Sequence, residues 1–275
     1  MLNAERTRPR LLECLKELHL STVTACYGQV AQDCQKESLG YEHFLKEVME
    51  RECEVRWHHR IERLLAESRL PLDKTPESFD LGRLPLRVQQ QMRTLQTGSF
   101  VDRRENVLAF GNPGSGKTHL LCALCHQLVR QGRKVLYTTC SLLVQELLAA
   151  KRDLALPRAL QRLSRFEAIL LDDLGYVQQS REEMEVLFTL LADRYERGSV
   201  LITSNLPFSQ WESLFKDPMT TAAAIDRLVH HCVIVELNLQ SYRAEQAHAR
   251  FAANAMSTAG VGPEDGAQGA APEGS

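Results

Sequence analysis

Residues Gly111-Asn112-Pro113-Gly114-Ser115-Gly116-Lys117-Thr118 fit the phosphate-loop pattern GxxxxGK[ST]. Ahead of them, Asn106-Val107-Leu108-Ala109-Phe110 is a short, mostly apolar run of the kind a buried parallel strand shows. Behind them, Leu120, Leu121, Leu124, Leu128 and Val129 recur at helical spacing until Gly132 offers a stop. Strand, glycine loop and helix in that order aim backbone N–H groups and a helix N-terminus at an anion. Glycines let the backbone curl around it without Cβ clashes. The pattern predicts a nucleotide cradle of Gly111, Asn112, Pro113, Gly114, Ser115, Gly116, Lys117, Thr118 and His119. Lys117 would be the point charge on the β- and γ-phosphates, and the Thr118 hydroxyl would ligate Mg²⁺. A glycine-rich turn with an incidental Gly-Lys-Thr is the alternative, and it leaves the agreement of strand, loop and helix unexplained.

Downstream, the same alternation repeats. Lys134 to Thr138 reads as a second strand; Ser141 caps a helix to about Arg152, and Pro157 opens another to about Ser164. Ala168 to Leu171 is a third strand, closing in Asp172-Asp173. Ser180 and Glu183 form a capping box for a helix that stops at Gly198. Val200 to Ser204 is a fourth strand ending at Asn205, and Val233 to Leu237 a fifth. Helices expected from about Met219 to His230 and from Gln240 to Asn254 carry Arg227 and Arg243. This order implies an α/β fold, a five-stranded parallel sheet between helices, with ligand at the strands' C-terminal ends. Asp172, Asp173 and Asn205 all fall there. Adjacent carboxylates repel, so placing two at a strand end favours a site with a cation. Asp172 would then hold Mg²⁺ and Asp173 orient the attacking water. Asn205 could fix that water or the γ-phosphate, although turns also favour Asn for local reasons.

The 275 residues suffice for one such core plus a smaller unit. Residues 1–70 read as a helical N-terminal domain, 71–105 as a linker with a pre-core helix, 106–255 as the nucleotide-binding domain and 256–275 as a disordered tail rich in Gly, Ala, Pro and Glu. Between Arg51 and Arg69, Arg56, Arg60 and Arg63 share a helix face that could track a nucleic-acid backbone. Glu52 and Glu67, each four residues from one of them, make a solvated, salt-bridged face the bland alternative. A formal net charge of −2 decides nothing between these. The eight cysteines form no spaced framework, which suggests reduced thiols in a cytosol. Cys122-x-x-Cys125 lacks a second ligand pair and reads as core rather than a zinc site. No apolar run is long enough to cross a bilayer, so a soluble, cytoplasmic protein is expected.

In order along the chain, GNPGSGKTHL at Gly111, ILLDDLGY at Ile169, LITSNLPFSQW at Leu201, AIDRLVHH at Ala224 and SYR at Ser241 resemble the AAA+ ATPases of the IstB group. These are transposition helpers of bacterial insertion sequences, similar to DnaC-type helicase loaders. FLKEVMERE at Phe44 and SFDLGRLP at Ser78 extend the resemblance from about Leu11 to Ala249. It implies a P-loop AAA+ core preceded by a small all-helical domain, and an ATPase using ATP and Mg²⁺. Asn205 matches sensor 1, Asp173 stands where the catalytic glutamate is usual, Arg227 resembles the arginine finger and Arg243 sensor 2. An ordinary ion pair with Asp226 or Glu236 is the other reading of Arg227. The helix ending in Lys151 and Arg152 resembles an element that lines a DNA channel. Implied partners are duplex DNA bound with little sequence preference, the transposase of the same element, and further copies of the chain in a ring or filament. A replicative helicase loader shares every core motif and is the runner-up, while a small-metabolite kinase lacks a stretch for an acceptor pocket. Two departures stand out: Asp173 is shorter than glutamate, and only one helix fits after Leu237, which leaves no full helical lid.

Overall fold

The computed structural model describes residues 4–175, 180–206, 210–211, 228–237 and 241. The helix expected over Met219 to His230 (save its last turn), the one over Gln240 to Asn254, Arg227, Arg243 and the tail all lie outside these residues. Three helices come first: α1 (Ala4–Glu17), α2 (Ser21–Lys36) and α3 (Tyr41–Ser68). The short helices α4 (Leu86–Gln96) and α5 (Ser99–Asp102) follow. The core runs β1 (Asn106–Gly111), α6 (Lys117–Arg130), β2 (Val135–Thr139), α7 (Cys140–Arg152), α8 (Leu156–Leu163), β3 (Ala168–Leu174), α9 (Arg181–Arg194), β4 (Ser199–Ser204) and β5 (Cys232–Leu237).

All strand pairs are parallel and their spatial order is β2-β3-β4-β1-β5. Strand side chains alternate between two cores, as a period of two requires. Val107, Ala109, Ala168, Leu170, Leu201 and Val235 face α6, α4 and the end of α3. Leu108, Phe110, Ile169, Leu171, Val200 and Ile202 face α7, α8 and α9. Burial on both faces is why these strands read as continuous apolar runs.

α1, α2 and the first half of α3 enclose a separate small core of Leu15, Val23, Val30, Cys34 and Val48. Glu52 is buried against it; its Oε2 accepts from the N–H groups of Thr22 and Val23 at the start of α2 (2.9 and 3.1 Å). Arg56 Nε donates to Glu52 Oε1 at 2.8 Å. Burial pushes the Glu52 carboxyl up, but the Arg56 bond and these N–H groups outweigh it, so the net shift is downward. α3 is one unbroken helix of 28 residues, and its last turns leave the small core: Leu64 packs with the sheet-facing cluster. Trp57 lies against Gly132, whose φ of +82° suits glycine and whose added Cβ would stand 2.7 Å from the indole. Arg60 donates to Gly132 O (3.3 Å), and Lys134 pairs with Glu67 (2.8 Å).

The 71–105 stretch is more ordered than its composition suggests: Leu84, Val88, Met92, Leu95, Phe100 and Val101 are all buried in the sheet-facing core. Two expected boundaries shift. The α7 cap is Thr139, not Ser141: Thr139 is still extended at the end of β2, and its Oγ1 accepts from Leu142 N. α9 opens on the expected Ser180–Glu183 capping box but ends at Arg194, four residues before Gly198. The Arg194 side chain is buried and donates to the carbonyls of Leu163, Phe166, Glu167 and Ser199, which ends the helix in a knot of backbone bonds.

Candidate nucleotide site

The loop from Gly111 to Gly116 leaves β1 and enters α6 at Lys117, so the N–H groups of the first turn of α6 point into it. Gly114 has φ +80°, and a Cβ there would meet Ser241 Oγ at 2.2 Å. Ser241 thus lies directly against the loop at Gly114. Lys117 is buried, its ammonium donating to the carbonyls of Gly111 and Asn112 (both 2.8 Å). Ser115 Oγ is buried with no hydrogen-bond partner among the described residues. An orphaned hydroxyl in a ring of N–H groups around a lysine ammonium fits a phosphate, whose oxygens accept from all three donor types.

Opposite the loop, β3 carries an irregularity. Leu171 pairs with Ile202 but Leu174 with Ser204, so β3 spends one extra residue at Asp172-Asp173. Asp173 takes φ +60°, an uncommon conformation that aspartate tolerates, and its side chain is exposed while Asp172 is buried. The bulge turns the two carboxylates to different surroundings, which relieves the repulsion expected of neighbours. Three hydroxyls converge on Asp172: Thr118 Oγ1 (2.7 Å) and Thr203 Oγ1 (2.6 Å) donate to Oδ1, and Tyr137 OH (3.1 Å) to Oδ2. Thr203 Oγ1 also accepts from Asp173 N (2.9 Å), tying both aspartates to β4. Burial, reinforced by the Asp172 charge, pushes the Tyr137 phenol up, so it stays a donor. Asn205 follows β4 directly, between the ends of β3 and β1, and Ser204 Oγ pins that corner by donating to Leu174 O (2.9 Å).

The donor set also fits a magnesium ion: a hydroxyl and a carboxylate already 2.7 Å apart beside a phosphate cradle, oxygen ligands of the kind that ion takes. Thr118 and Asp172 would hold it.

Along α6 lies the 71–79 segment. Glu77 pairs with Arg130 (2.5 Å), and that bond holds its carboxyl down to about 2. Ser78 Oγ lies 2.9 Å from His119 Nε2, and the Phe79 ring packs edge-on against His119 at 5.1 Å. His119 therefore sits under this segment, and burial lowers its pKa. Cys122 and Cys125 are buried in the core below, where burial raises both thiols, Cys122 to about 12.

Lys117, Thr118, Asp172, Asp173 and Asn205 are thus brought together at the C-terminal ends of the inner strands β1, β3 and β4. Tyr137 and Thr203 escaped the sequence reading. Their signal was a hydroxyl on each strand that flanks β3, Tyr137 midway along β2 and Thr203 one residue from the end of β4. The basic residues lie elsewhere. Arg56 is held by Glu52 and by His19 O (2.8 Å), Arg60 by Gly132 O, and Lys151 by Glu185 (2.8 Å). Arg63 and Arg152 are exposed.

Comparison with known proteins agrees with this geometry. The family model described as IstB-like ATP binding protein matches residues 13–250. An insertion sequence ATP-binding protein of Sinorhizobium fredii is 42% identical over 239 residues, 86% of this chain and 80% of the relative. The ATP-binding protein of insertion sequence IS21 from Pseudomonas aeruginosa is 38% identical over 86% of this chain and 88% of its own length. Among solved structures, the DnaC helicase loader superposes with a TM-score of 0.52 at 16% identity, covering 61% of this chain and 98% of that one. AMPPCP-bound DnaA of Aquifex aeolicus gives 0.52 at 18%, covering 68% and 57%. These two likenesses are of fold alone. With phosphate loop, paired aspartates and sheet order in place, the chain belongs to the IstB-like ATP-binding proteins.

Proposed function

We propose that this protein is an ATP-dependent DNA-binding helper of insertion-sequence transposition. It oligomerises as a ring or filament on duplex target DNA, stimulates the transposase of the same element through its helical N-terminal unit, and hydrolyses ATP to disassemble. It acts in the cytoplasm. The convergence of Lys117, Thr118, Asp172 and Asp173 at the C-terminal ends of β1 and β3 carries the ATPase part of this reading. The insertion-sequence relatives, covered over four fifths of their length, support the setting.

In this mechanism Lys117 exchanges its two loop carbonyls for phosphate oxygens, and the Ser115 hydroxyl gains an acceptor. Thr118 and Asp172 would hold a magnesium ion, which would supply positive charge against the charge that develops on the phosphates. Asp173, exposed and fixed through its own N–H, orients the attacking water and takes its proton; Asn205 holds that water from the side. Arg227 completes a neighbour's site and Arg243 its own; both roles come from the motif resemblance.

Lys117→Ala is expected to abolish ATP-dependent binding to a labelled duplex, read by fluorescence anisotropy with and without ATP. Binding that keeps its full ATP dependence in this variant would overturn the mechanism.

A further inference from the structure

Between the C-terminal end of α3, α7 and α8 lies an open groove of about 570 Å³. It is lined by four alanines together with Arg69, Arg158, Arg162, Glu146 and Asp153. Arg69 is paired with Glu146 at 3.7 Å. Arg158 and Arg162 are exposed, four residues apart on α8 and therefore on one face. Neither has a carboxylate within ion-pair distance among the described residues. The same holds for Arg152 in the last turn of α7 and Arg165 in the turn after α8, both exposed. This contrasts with Arg56, Arg60 and Lys151, whose charged ends are engaged by the protein itself.

We infer that this groove seats one sugar-phosphate strand of the nucleic acid, with Arg158 and Arg162 contacting phosphates and Arg152 and Arg165 extending the track. The inference rests on the DNA-binding reading above; of the contacts expected on α3 and at the end of α7 it keeps Arg152, and it puts the main ones on α8. Arginine forks match phosphate oxygens bidentately, and alanines leave room for a backbone to approach. Cations spread over three elements suit a continuous polyanion better than a single acidic side chain. Because the walls come from α3 and from the core, a strand lying there touches both units at once.

The test compares the parent, Arg158→Glu/Arg162→Glu and Asp153→Asn for binding to a 30-base-pair duplex across a salt series, with poly-L-glutamate as a second probe. ATP binding without DNA serves as the folding control. Each phosphate contact contributes roughly 0.9 to the slope of log affinity against log salt. The double variant is therefore expected to lose about 2 units of that slope and at least about tenfold in affinity at moderate salt. Asp153→Asn, which removes a repelling carboxylate, is expected to tighten binding. Duplex affinity and slope unchanged in both variants would overturn the groove while leaving the helper function standing. A loss confined to poly-L-glutamate would overturn it in favour of an acidic protein partner. If the parent itself shows no salt-dependent duplex binding, the DNA-binding reading fails first and the groove with it.

Discussion

Asp172, the proposed magnesium ligand, is fixed in place by the fold itself. Its carboxylate receives Thr118, Thr203 and Tyr137, and the Thr203 hydroxyl passes the constraint on to Asp173 N. Groups that orient a metal ligand commonly matter by about 10–100-fold in metal affinity or activity. Thr203→Val, which keeps the β-branched shape but deletes the hydroxyl, is therefore expected to raise the magnesium concentration for half-maximal turnover by about that factor. Tyr137→Phe should act in the same direction and more weakly, since its bond is longer. Magnesium titration of ATPase rates, with nucleotide affinity measured separately in EDTA, checks both. An unchanged magnesium requirement in Thr203→Val would show that Asp172 needs no such support. Residues at this scale divided sharply in legibility. Lys117, Thr118 and Asp172 stand in local patterns that announce a phosphate site. Tyr137 and Thr203 matter only because β2 and β4 flank β3, and lateral strand order is not written in a run of apolar residues.

Among the elements, α9 and α2 depend on single buried charges. Burial pushes Arg194 down to about 10, yet it serves four carbonyls at once, joining the end of α9 to the turn before β3 and to β4. Arg194→Met should cost about 3 kcal/mol or more, read by denaturant unfolding, because carbonyls buried without a donor remain behind. Glu52 does the corresponding work for α2. Its folded pKa lies below its ordinary value, so its stabilisation is complete above the usual carboxylate range and is lost as pH falls through the folded value. In Glu52→Gln the melting temperature should therefore vary less between pH 7 and pH 3 than in the parent, and be lower at pH 7. An identical acid profile would exclude Glu52 as the source. Elements themselves were the most readable level: strand and helix order followed from periodicity, and the Ser180–Glu183 box is where the spacing put it. The ends were less readable, because Thr139 and Arg194 set them through contacts with the sheet, which outrank local preference.

At the scale of the whole molecule, the proposed active site is shared between copies. Lys117→Ala lacks the phosphate charge and Arg227→Ala the guanidinium lent to a neighbour. Each alone should be inactive, the latter by about 10³ or more in turnover. A mixture should recover part of the rate, since an interface can then draw both groups from different intact partners. Failure of every mixing ratio to exceed the sum of the separate rates would place both groups in one subunit's site. The union of the two units is itself testable. Gly132→Ala puts a methyl into the Trp57 ring at a φ that alanine resists, and should increase acrylamide quenching of Trp57 fluorescence in a Trp211→Phe background. Composition alone could announce a helical unit and a nucleotide-binding core. It could not show that α3 belongs to both, because Leu64 and Val48 read identically as apolar positions on one helix.

That shared helix makes the first unit a lever. From its seating at Trp57 back to Tyr41, α3 runs about 24 Å without a hinge. A tilt of about 10° at the seat therefore swings the outer end by about 4 Å. Small displacements near Gly132 become large ones where the bundle meets its surroundings, with no flexible tether to absorb them.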